Sequence, residues 1–413
     1  MTRPSASPRP SSVPSSEIKP YAGLRVLDMS QGVAGPYCAM ILAEQGANVI
    51  KVEPPSGDWS RVLGQQIDGM TPLSFAYNLG KRSICIDAQS DKGRDLILRL
   101  ASKADVVIES FRPGVMKRLG LSYEVLSRDR SDLVYISVTG FGQDGPYVDR
   151  PGSDSTLQAM SGMMVANRDA RGHPRKIGLL VADIATGVYA SQAAGAALYR
   201  RLAHGVGAYV DISLLGVAAA FQNGALIDQA LSNWQTVRPY SVPAGTFETQ
   251  DGYINVTSLH DRMFIGLCKA VGQEAWITDP RFTTAADRFA QSNEIYATLE
   301  RIFSQQPTSH WLSLMREHGV VCGKISDYAE FVKDPHVQHR RIFRNSAMPG
   351  FGPVPIAQTP GALVATETTH SPHCGENTRE VLDEIGLSAD EQQALFDQGI
   401  VAAWKAASDT HTT

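Results

Sequence analysis

Residues 26–36 are Val26-Leu27-Asp28-Met29-Ser30-Gln31-Gly32-Val33-Ala34-Gly35-Pro36, which is typical of a strand, a glycine-bearing loop and the start of a helix. Proline fits the first turn of a helix, where a backbone N–H is not needed. The pattern predicts a strand over residues 24–28, a helix over 36–45 and a second strand over 48–52. A strand–helix–strand unit of this kind indicates a parallel sheet with helices packed on its faces.

The same alternation continues through the first half of the chain. A helix is predicted over residues 91–102, and strands over 106–109 and 134–138. We therefore expect an α/β protein with a Rossmann-like, doubly wound large domain. Ligands bind such sheets beyond the carboxyl ends of the strands. The loops after these strands should therefore converge on one crevice.

The second half of the chain has a different pattern of predicted strands and helices. Asp251-Gly252 is typical of a hairpin turn between strands 246–248 and 253–256. Helical segments follow, then a strand over 320–325 and two closing helices, so a small α+β domain is expected. The predicted order is a disordered tail (1–21), the large domain (22–217), a linker (218–243), the small domain (244–328), a return to the large domain (329–404) and a loose tail (405–413).

The composition is that of an ordinary soluble globular protein, because 43% of the 413 residues are hydrophobic and 19% are charged. The net charge of −4 and the lack of a basic cluster argue against nucleic-acid or anionic-membrane partners. Five scattered cysteines suggest reduced thiols and a cytoplasmic location. We expect no metal site and no membrane span in the chain. The first 20 residues are rich in Pro and Ser, and we expect no signal peptide there.

Asp183 is the candidate catalytic residue. It follows the apolar run 177–182, predicted as a buried strand, and precedes a helix that extends to about residue 202. The free N–H groups and positive dipole end of that helix should keep the carboxylate ionised and directed outward, as a nucleophile requires. Aspartate is also a preferred N-cap residue, so a purely structural role remains open.

A second hypothesis comes from the first loop. Gly32 and Gly35 form a G-x-x-G pattern, and Glu53 lies where a ribose-binding acid is found in dinucleotide-binding proteins. The match to the G-x-G-x-x-G fingerprint is incomplete. A nicotinamide-binding module and a site for another phosphate- or pantetheine-containing ligand both remain open.

A series of different short motifs follows a characteristic order along residues 22–400. They include Gly23-Leu24-Arg25-Val26-Leu27-Asp28, Ala34-Gly35-Pro36, Asn78-Leu79-Gly80-Lys81-Arg82-Ser83, Glu109-Ser110-Phe111-Arg112-Pro113-Gly114, Thr139-Gly140-Phe141-Gly142-Gln143, Arg150-Pro151-Gly152-Ser153-Asp154, Ala182-Asp183 and Gly375-Glu376-Asn377-Thr378. Together they resemble the class III coenzyme A transferases, the family of formyl-CoA transferase.

This resemblance implies a large and a small domain, with two chains interlocked as a homodimer. It implies that Asp183 takes an acyl group from an acyl-CoA as a mixed anhydride, then forms an aspartyl-CoA thioester and passes CoA to a free carboxylic acid. The acyl-CoA and the acid are substrates, and no permanently bound cofactor is expected. Succinyl-CoA and a small carboxylic or dicarboxylic acid are the favoured substrates.

The resemblance also implies contacts to CoA. The residues concerned are Val33, Ala34, Pro54, Ile86, Gln89, Ser110, Phe111 and Arg118. Core packing remains the alternative for Phe111, and a solvated helix face the alternative for Arg118. Lys81 and Arg82 are interpreted as a small surface cluster outside the site.

The chain departs from the family pattern at several positions. Val33 replaces a glutamine of the oxalate-type transferases, which argues against oxalate, while Pro54 and Gln89 replace CoA-binding basic residues. In place of the family's mobile glycine-rich loop, the small domain offers only Pro243-Ala244-Gly245.

The α-methylacyl-CoA racemases of the same superfamily are an alternative. Their second base is the histidine of a Gly-His-Asp motif, and here the matching residues are Gly152-Ser153-Asp154. A serine hydroxyl is not a base near neutral pH, so transfer is favoured. For Asp154 two roles remain possible from the sequence: a second carboxylate in the crevice, or a turn or helix-cap residue. Arg61 and Arg150 are open as clamps for a second substrate carboxylate or as surface ion pairs.

Overall fold

The computed structural model describes residues 18–169, 171–234, 241–363 and 370–404. The described residues form two compact units, one made of those up to 223 together with those from 341 onward, and the other of those between 224 and 340. The first part of the larger unit contains β1 (Arg25–Asp28), α1 (Ala34–Glu44), β2 (Asn48–Glu53), α2 (Pro72–Tyr77), β3 (Arg82–Ile86), α3 (Asp91–Lys103), β4 (Val106–Glu109), α4 (Val115–Arg118), α5 (Tyr123–Leu126), β5 (Val134–Thr139), α6 (Asp154–Met160), α7 (Met163–Ala166), α8 (Val181–His204), β6 (Ala208–Ser213) and α9 (Leu214–Phe221).

Six strands of this unit form a parallel sheet in the order β3-β2-β1-β4-β5-β6. Successive side chains of a strand point to opposite faces, so Leu27 and Val107 pack into one core cluster, and Val26 and Val106 into another. The strand order reverses between β1 and β4, as in doubly wound sheets. The prediction of an α/β fold with a central parallel sheet is confirmed.

The smaller unit is built around an antiparallel sheet of three strands. Its elements are α10 (Asn223–Leu231, which begins at the unit boundary), β7 (Ala244–Thr249), β8 (Gly252–Thr257), α11 (Asp261–Ala270), α12 (Ala285–Ala290), α13 (Ser292–Phe303), α14 (Thr308–Glu317), β9 (Val321–Lys324), α15 (Tyr328–Lys333) and α16 (Pro335–His339). The strands lie in the order β7-β8-β9. The hairpin predicted around Asp251-Gly252 joins β7 to β8.

The last part of the chain returns to the larger unit. It contains β10 (Phe343–Met348), β11 (Gly352–Ala357), α17 (Thr378–Glu384), α18 (Ala389–Asp397) and β12 (Val401–Ala402). The last strand pairs antiparallel with β3 and extends the large sheet to seven strands. Val381 and Leu395 pack into the same core cluster as Leu27, so the closing helices cover one face of the sheet.

Two predictions of local structure were wrong. Residues 177–180 are irregular rather than a strand, and Leu179 is 54% exposed. The sheet edge beside β5 is instead occupied by β6, which was not predicted as a strand. The segment 218–243, predicted as a linker, contains the end of α9 and all of α10, and its residues 235–240 lie outside the described part. Of the predicted tails, residues 1–17 and 405–413 also lie outside the described residues. No helix among the described residues is long and apolar enough to cross a bilayer.

Candidate active site

The loops after β1, β4 and β5 and the start of α8 meet at one cleft of about 210 Å³. Its lining includes Gln31, Val33, Ala34, Trp59, Ser110, Phe111, Arg112, Thr139, Gly140, Phe141, Arg150, Gly152 and Asp183. The cleft lies at the carboxyl ends of the strands, where the topology of the sheet predicts a ligand site. A cavity of about 350 Å³ lies at the amino ends of β1 and β2, away from these loops.

Asp183 lies in the first turn of α8, two residues beyond the helix start, rather than at a strand-to-helix turn. Within the described part of the chain its carboxylate has no hydrogen-bond partner, whereas its backbone N–H donates to Asp154. The N-cap residue is Leu180, whose side chain caps nothing. Asp183 is therefore not the cap that aspartate often provides at this position.

The cap is Asp154, at the start of α6. Its Oδ1 accepts the N–H of Ala182 at 2.8 Å and that of Asp183 at 3.4 Å. Its Oδ2 accepts Nε2 of Gln158 at 2.7 Å. Gln158 also bonds the backbone of the irregular run twice, since its Oε1 accepts the N–H of Ile177 and its Nε2 donates to the carbonyl of Leu179. These bonds explain why the run does not join the sheet.

The protonation of Asp183 differs from the sequence-based expectation. Burial, and then the nearby negative charge of Asp154, raise the pKa of Asp183 from 3.8 to about 7. The helix N–H groups that were expected to stabilise its charge are bonded to Asp154 instead. The carboxylate is thus more basic than an ordinary aspartate, because its charged form is poorly solvated.

A buried ionic network supports the loop after β1. Lys81 Nζ lies 2.7 Å from Asp28 Oδ2, and Lys51 Nζ lies 2.9 Å from Asp58 Oδ2, with all four side chains inaccessible to solvent. Asp58 also accepts the N–H of Gly32 at 3.0 Å. The interpretation of Lys81 as a surface residue was wrong. Lys51 lies between the apolar residues Ile50 and Val52 of β2, which is the sequence signal for this buried charge.

Close packing fixes the position of Val33 and Ala34. Gly32 has a φ of +83°, and a Cβ there would lie 2.1 Å from the Trp59 ring. Across the cleft, a Cβ on Gly187 of α8 would lie 2.9 Å from the carbonyl oxygen of Ala34. The absence of a side chain at Gly187 lets the loop approach the helix that carries Asp183, and the absence of one at Gly32 lets the Trp59 ring pack against the loop.

Four of the predicted CoA contacts line the cleft: Val33, Ala34, Ser110 and Phe111. Ser110 Oγ accepts the N–H of Gln31 at 2.9 Å, and the N–H of Phe111 donates to Glu109 Oε2 at 2.8 Å. The first bond connects the loops after β1 and β4, and the second fixes the start of the loop after β4.

The other four predicted contacts lie outside the lining of the cleft. Ile86 is buried in the core cluster of the sheet, whereas Gln89 and Arg118 are exposed and Pro54 is partly buried. Their contact with the nucleotide end of CoA stays a prediction.

Arg61 and Arg150, the two candidate clamps for a substrate carboxylate, have different surroundings. Arg61 is buried and forms a two-pronged ion pair with Glu53, at 2.6 and 2.7 Å. It is neither on the surface nor available to a substrate. Arg150 is exposed and lines the cleft with Asp183.

Comparison with known protein families identifies the family of this chain. The family model of CoA-transferase family III matches residues 21–378. The chain belongs to CoA-transferase family III. The resemblance drawn from the ordered motifs is confirmed.

Relatives of this family III chain are named as CoA-transferases. It is 37% identical to acetyl-CoA:oxalate CoA-transferase of Acetobacter aceti, over 82% of this chain and 89% of the relative. It is 31% identical to succinyl-CoA:glutarate CoA-transferase of Homo sapiens, over 89% of this chain and 86% of the relative. The chain is therefore an enzyme of the CoA-transferase class.

The fold agrees with a solved structure of the family. The crystal structure of a CAIB/BAIF family protein from Brucella suis matches 89% of this chain and 100% of its own, with a TM-score of 0.79 and 32% identity. The central parallel sheet of this family III enzyme is thus a feature it shares with that protein.

Proposed function

We propose that this enzyme moves CoA from an acyl-CoA to a free carboxylic acid through covalent intermediates on Asp183. The observation that carries the proposal is a carboxylate with no hydrogen-bond partner in the described chain, in a cleft at the carboxyl ends of the strands. A nucleophile must be free to form a bond, and Asp183 meets this requirement while Asp154 is tied to three donors.

The proposed steps conserve the energy of the thioester. The Asp183 carboxylate attacks the thioester carbonyl, which forms a mixed anhydride and releases the CoA thiolate. The thiolate attacks the aspartyl carbonyl, which leaves an aspartyl-CoA thioester and releases the donor acid. The acceptor carboxylate attacks this thioester, which forms a second anhydride and releases the CoA thiolate again. The thiolate then attacks the acceptor's carbonyl in this anhydride, which forms the new acyl-CoA and releases the Asp183 carboxylate. Splitting one difficult exchange into such steps is the purpose of covalent catalysis.

The surroundings of Asp183 suit the first step. Because its pKa is raised to about 7, a large fraction is ionised at neutral pH and the anion is more basic than an ordinary aspartate. Basicity near the working pH favours nucleophilic attack. The cleft, at about 210 Å³, is smaller than the pockets of about 300–1,000 Å³ that enclose whole ligands of moderate size, and suits the reacting end of a thioester.

At the position of the racemases' second base this chain has Ser153 rather than a histidine. Ser153 is the N-cap of α6, and its Oγ accepts the N–H of Thr156 at 3.4 Å. Asp154, beside it, is committed to capping α8. Neither residue is suited to exchange an α-proton, so CoA transfer is the better supported function.

We also propose that the enzyme is a homodimer. Large apolar side chains are exposed along α8, with Tyr199 at 72% and Leu202 at 85%. Exposed apolar surface of this kind is typical of protein interfaces. The interlocked arrangement follows from the family resemblance, and the mass in solution measured by light scattering tests the dimer.

The function is tested by pairing acyl-CoA donors, including succinyl-CoA and acetyl-CoA, with free acids, including glutarate and oxalate, and detecting each new thioester by mass spectrometry. Oxalate belongs in the panel because a relative is named for it, although Val33 argues against it. Hydroxylamine added during turnover should leave a hydroxamate on Asp183. Asp183→Ala should fold normally, as judged by circular dichroism, and lose exchange and adduct. Undiminished exchange in that variant rejects the mechanism.

A further inference from the structure

Two arginines line the cleft with Asp183 and are exposed in it. Arg112 follows β4, and Arg150 lies between β5 and α6. Among the described residues neither one forms an ion pair with a carboxylate, in contrast to Arg61. A guanidinium left without a protein carboxylate, in a cleft that receives carboxylic acids, is suited to bind a substrate anion.

Arg150 is held in place by an aromatic stack. Its Cζ lies 3.8 Å from the centroid of the Tyr147 ring, and Tyr147 packs edge-on against Phe141, which lines the cleft, at 5.6 Å. The ring covers only a face of the guanidinium, whose N–H donors lie at its edge. These donors therefore stay available for a two-pronged bond to a carboxylate. No ring contact holds Arg112 in the described part of the chain.

The backbone around Arg150 is also anchored. The N–H of Arg150 donates to the carbonyl of Tyr147 at 2.9 Å, which closes a turn. A Cβ on Gly152 would lie 2.8 Å from Cα of Gly140, so the segment rests directly on the loop after β5. The guanidinium therefore has a defined position relative to the cleft before any ligand binds, which lowers the entropy lost on binding.

We propose that Arg150 determines the specificity of the enzyme for dicarboxylic acids, by binding the carboxylate that does not react while the other carboxylate reacts at Asp183. This inference rests on the proposed CoA transfer and adds the class of acid. A monocarboxylic acid of the same chain length leaves the guanidinium unpaired and gains nothing from it. The two relatives described above are named for oxalate and glutarate, which are both dicarboxylic acids.

The test compares glutarate with pentanoate, which has the same chain length and one carboxylate. Acetyl-CoA is the donor, so that the donor carries no second carboxylate. In Arg150→Gln, kcat/KM for glutarate should fall at least about tenfold, the usual effect of losing a hydrogen-bonded ion pair. The value for pentanoate should change less than about threefold. Arg150→Lys, which keeps the charge but not the two-pronged geometry, should recover part of the loss for glutarate.

Arg112→Gln is the matched control, because it removes a second exposed guanidinium from the same cleft. It should leave the ratio of kcat/KM for glutarate to that for pentanoate unchanged. An equal loss for both acids in Arg150→Gln indicates that Arg150 binds a phosphate of CoA and overturns the inference. An unchanged ratio in Arg150→Gln, or a wild-type enzyme that prefers pentanoate, overturns it too.

The two proposals fail in distinguishable ways. Exchange of CoA by the wild-type enzyme, with a ratio that does not depend on Arg150, refutes only the role of Arg150. Absence of exchange with every acid refutes the proposed function, and the assignment of Arg150 fails with it. The thermal unfolding of both arginine variants should match that of the wild type, because each side chain is exposed.

Discussion

Asp154 accepts the backbone N–H of Asp183 at 3.4 Å, and its negative charge raises the pKa of the Asp183 side chain. One carboxylate thereby caps α8 and makes its neighbour more basic. The two effects have the same origin, because Asp154 is buried beside the helix start, where its charge is weakly screened. Helix capping and the basicity of the proposed nucleophile are therefore coupled.

The rate of exchange should depend on pH with an inflection near neutrality. Because the pKa of Asp183 is about 7, the nucleophile is protonated at lower pH, and kcat/KM for the acyl-CoA should fall about tenfold for each further pH unit. Above the inflection the profile should be flat. Steady-state kinetics across this range check the prediction, and a profile without an inflection near neutrality contradicts it.

Replacing Asp154 should move that inflection. Asp154→Asn removes the neighbouring charge but keeps an oxygen that can accept the N–H of Ala182, so the pKa of Asp183 should fall and the inflection should shift to lower pH. Ser153→Ala is the matched control, since it alters the adjacent helix cap without changing charge. An inflection at the same pH in both variants shows that Asp154 does not act through its charge.

Asp183→Asn should stabilise the fold at high pH more than at low pH. Folding raises the pKa of Asp183 from 3.8 to about 7, so the ionised side chain destabilises the folded state. This destabilisation is absent below the unfolded-state pKa, grows as the pH rises between the two values and is complete above about 7. The gain in free energy of unfolding should be on the order of 2 kcal/mol larger at pH 8 than at pH 5, measured by urea unfolding. Equal gains at both pH values contradict it.

Lys81 and Arg82 are adjacent in sequence but should differ in their contribution to stability. Lys81→Met leaves Asp28 buried without its ion-pair partner and should lower the free energy of unfolding by about 3–5 kcal/mol. Arg82→Met removes ion pairs to Glu380 and Glu384, which are half exposed, and should cost about 1 kcal/mol or less. Denaturant unfolding of the two variants is the measurement. Similar losses would mean that the Lys81 pair is solvated.

Two glycines of α8 should respond differently to alanine. Gly187→Ala places a Cβ 2.9 Å from the backbone oxygen of Ala34, so it should displace the loop that lines the cleft and raise the KM for acyl-CoA. Gly195→Ala meets only the hydroxyl of Tyr21 at 3.1 Å, which can move, and should be neutral or stabilising by up to about 1 kcal/mol. Kinetics and thermal melts of both variants distinguish local displacement from a general loss of stability.

Four strands of the large sheet were predicted, because their signals are local, whereas β3, β6 and β12 were not. The strands β1, β2, β4 and β5 are apolar runs bounded by turn residues, and such runs indicate buried strands wherever they occur. The strand β6 was missed because it lies at an edge of the parallel sheet and alternates polar with apolar residues. The run 177–180 was misassigned because apolar content alone does not tell whether a sheet position is vacant.

The amino-acid sequence by itself determined the class of fold, the family, and Asp183 as the candidate nucleophile, because helix periodicity, turn chemistry and ordered motifs are written along the chain. Only the tertiary structure decided that Asp154 is the residue bonded to the helix start, that Lys81 is buried, and that Arg61 is paired while Arg150 lines the cleft. Hydrogen bonds, burial and pKa shifts depend on distances between segments far apart in the chain, and those distances exist only after folding.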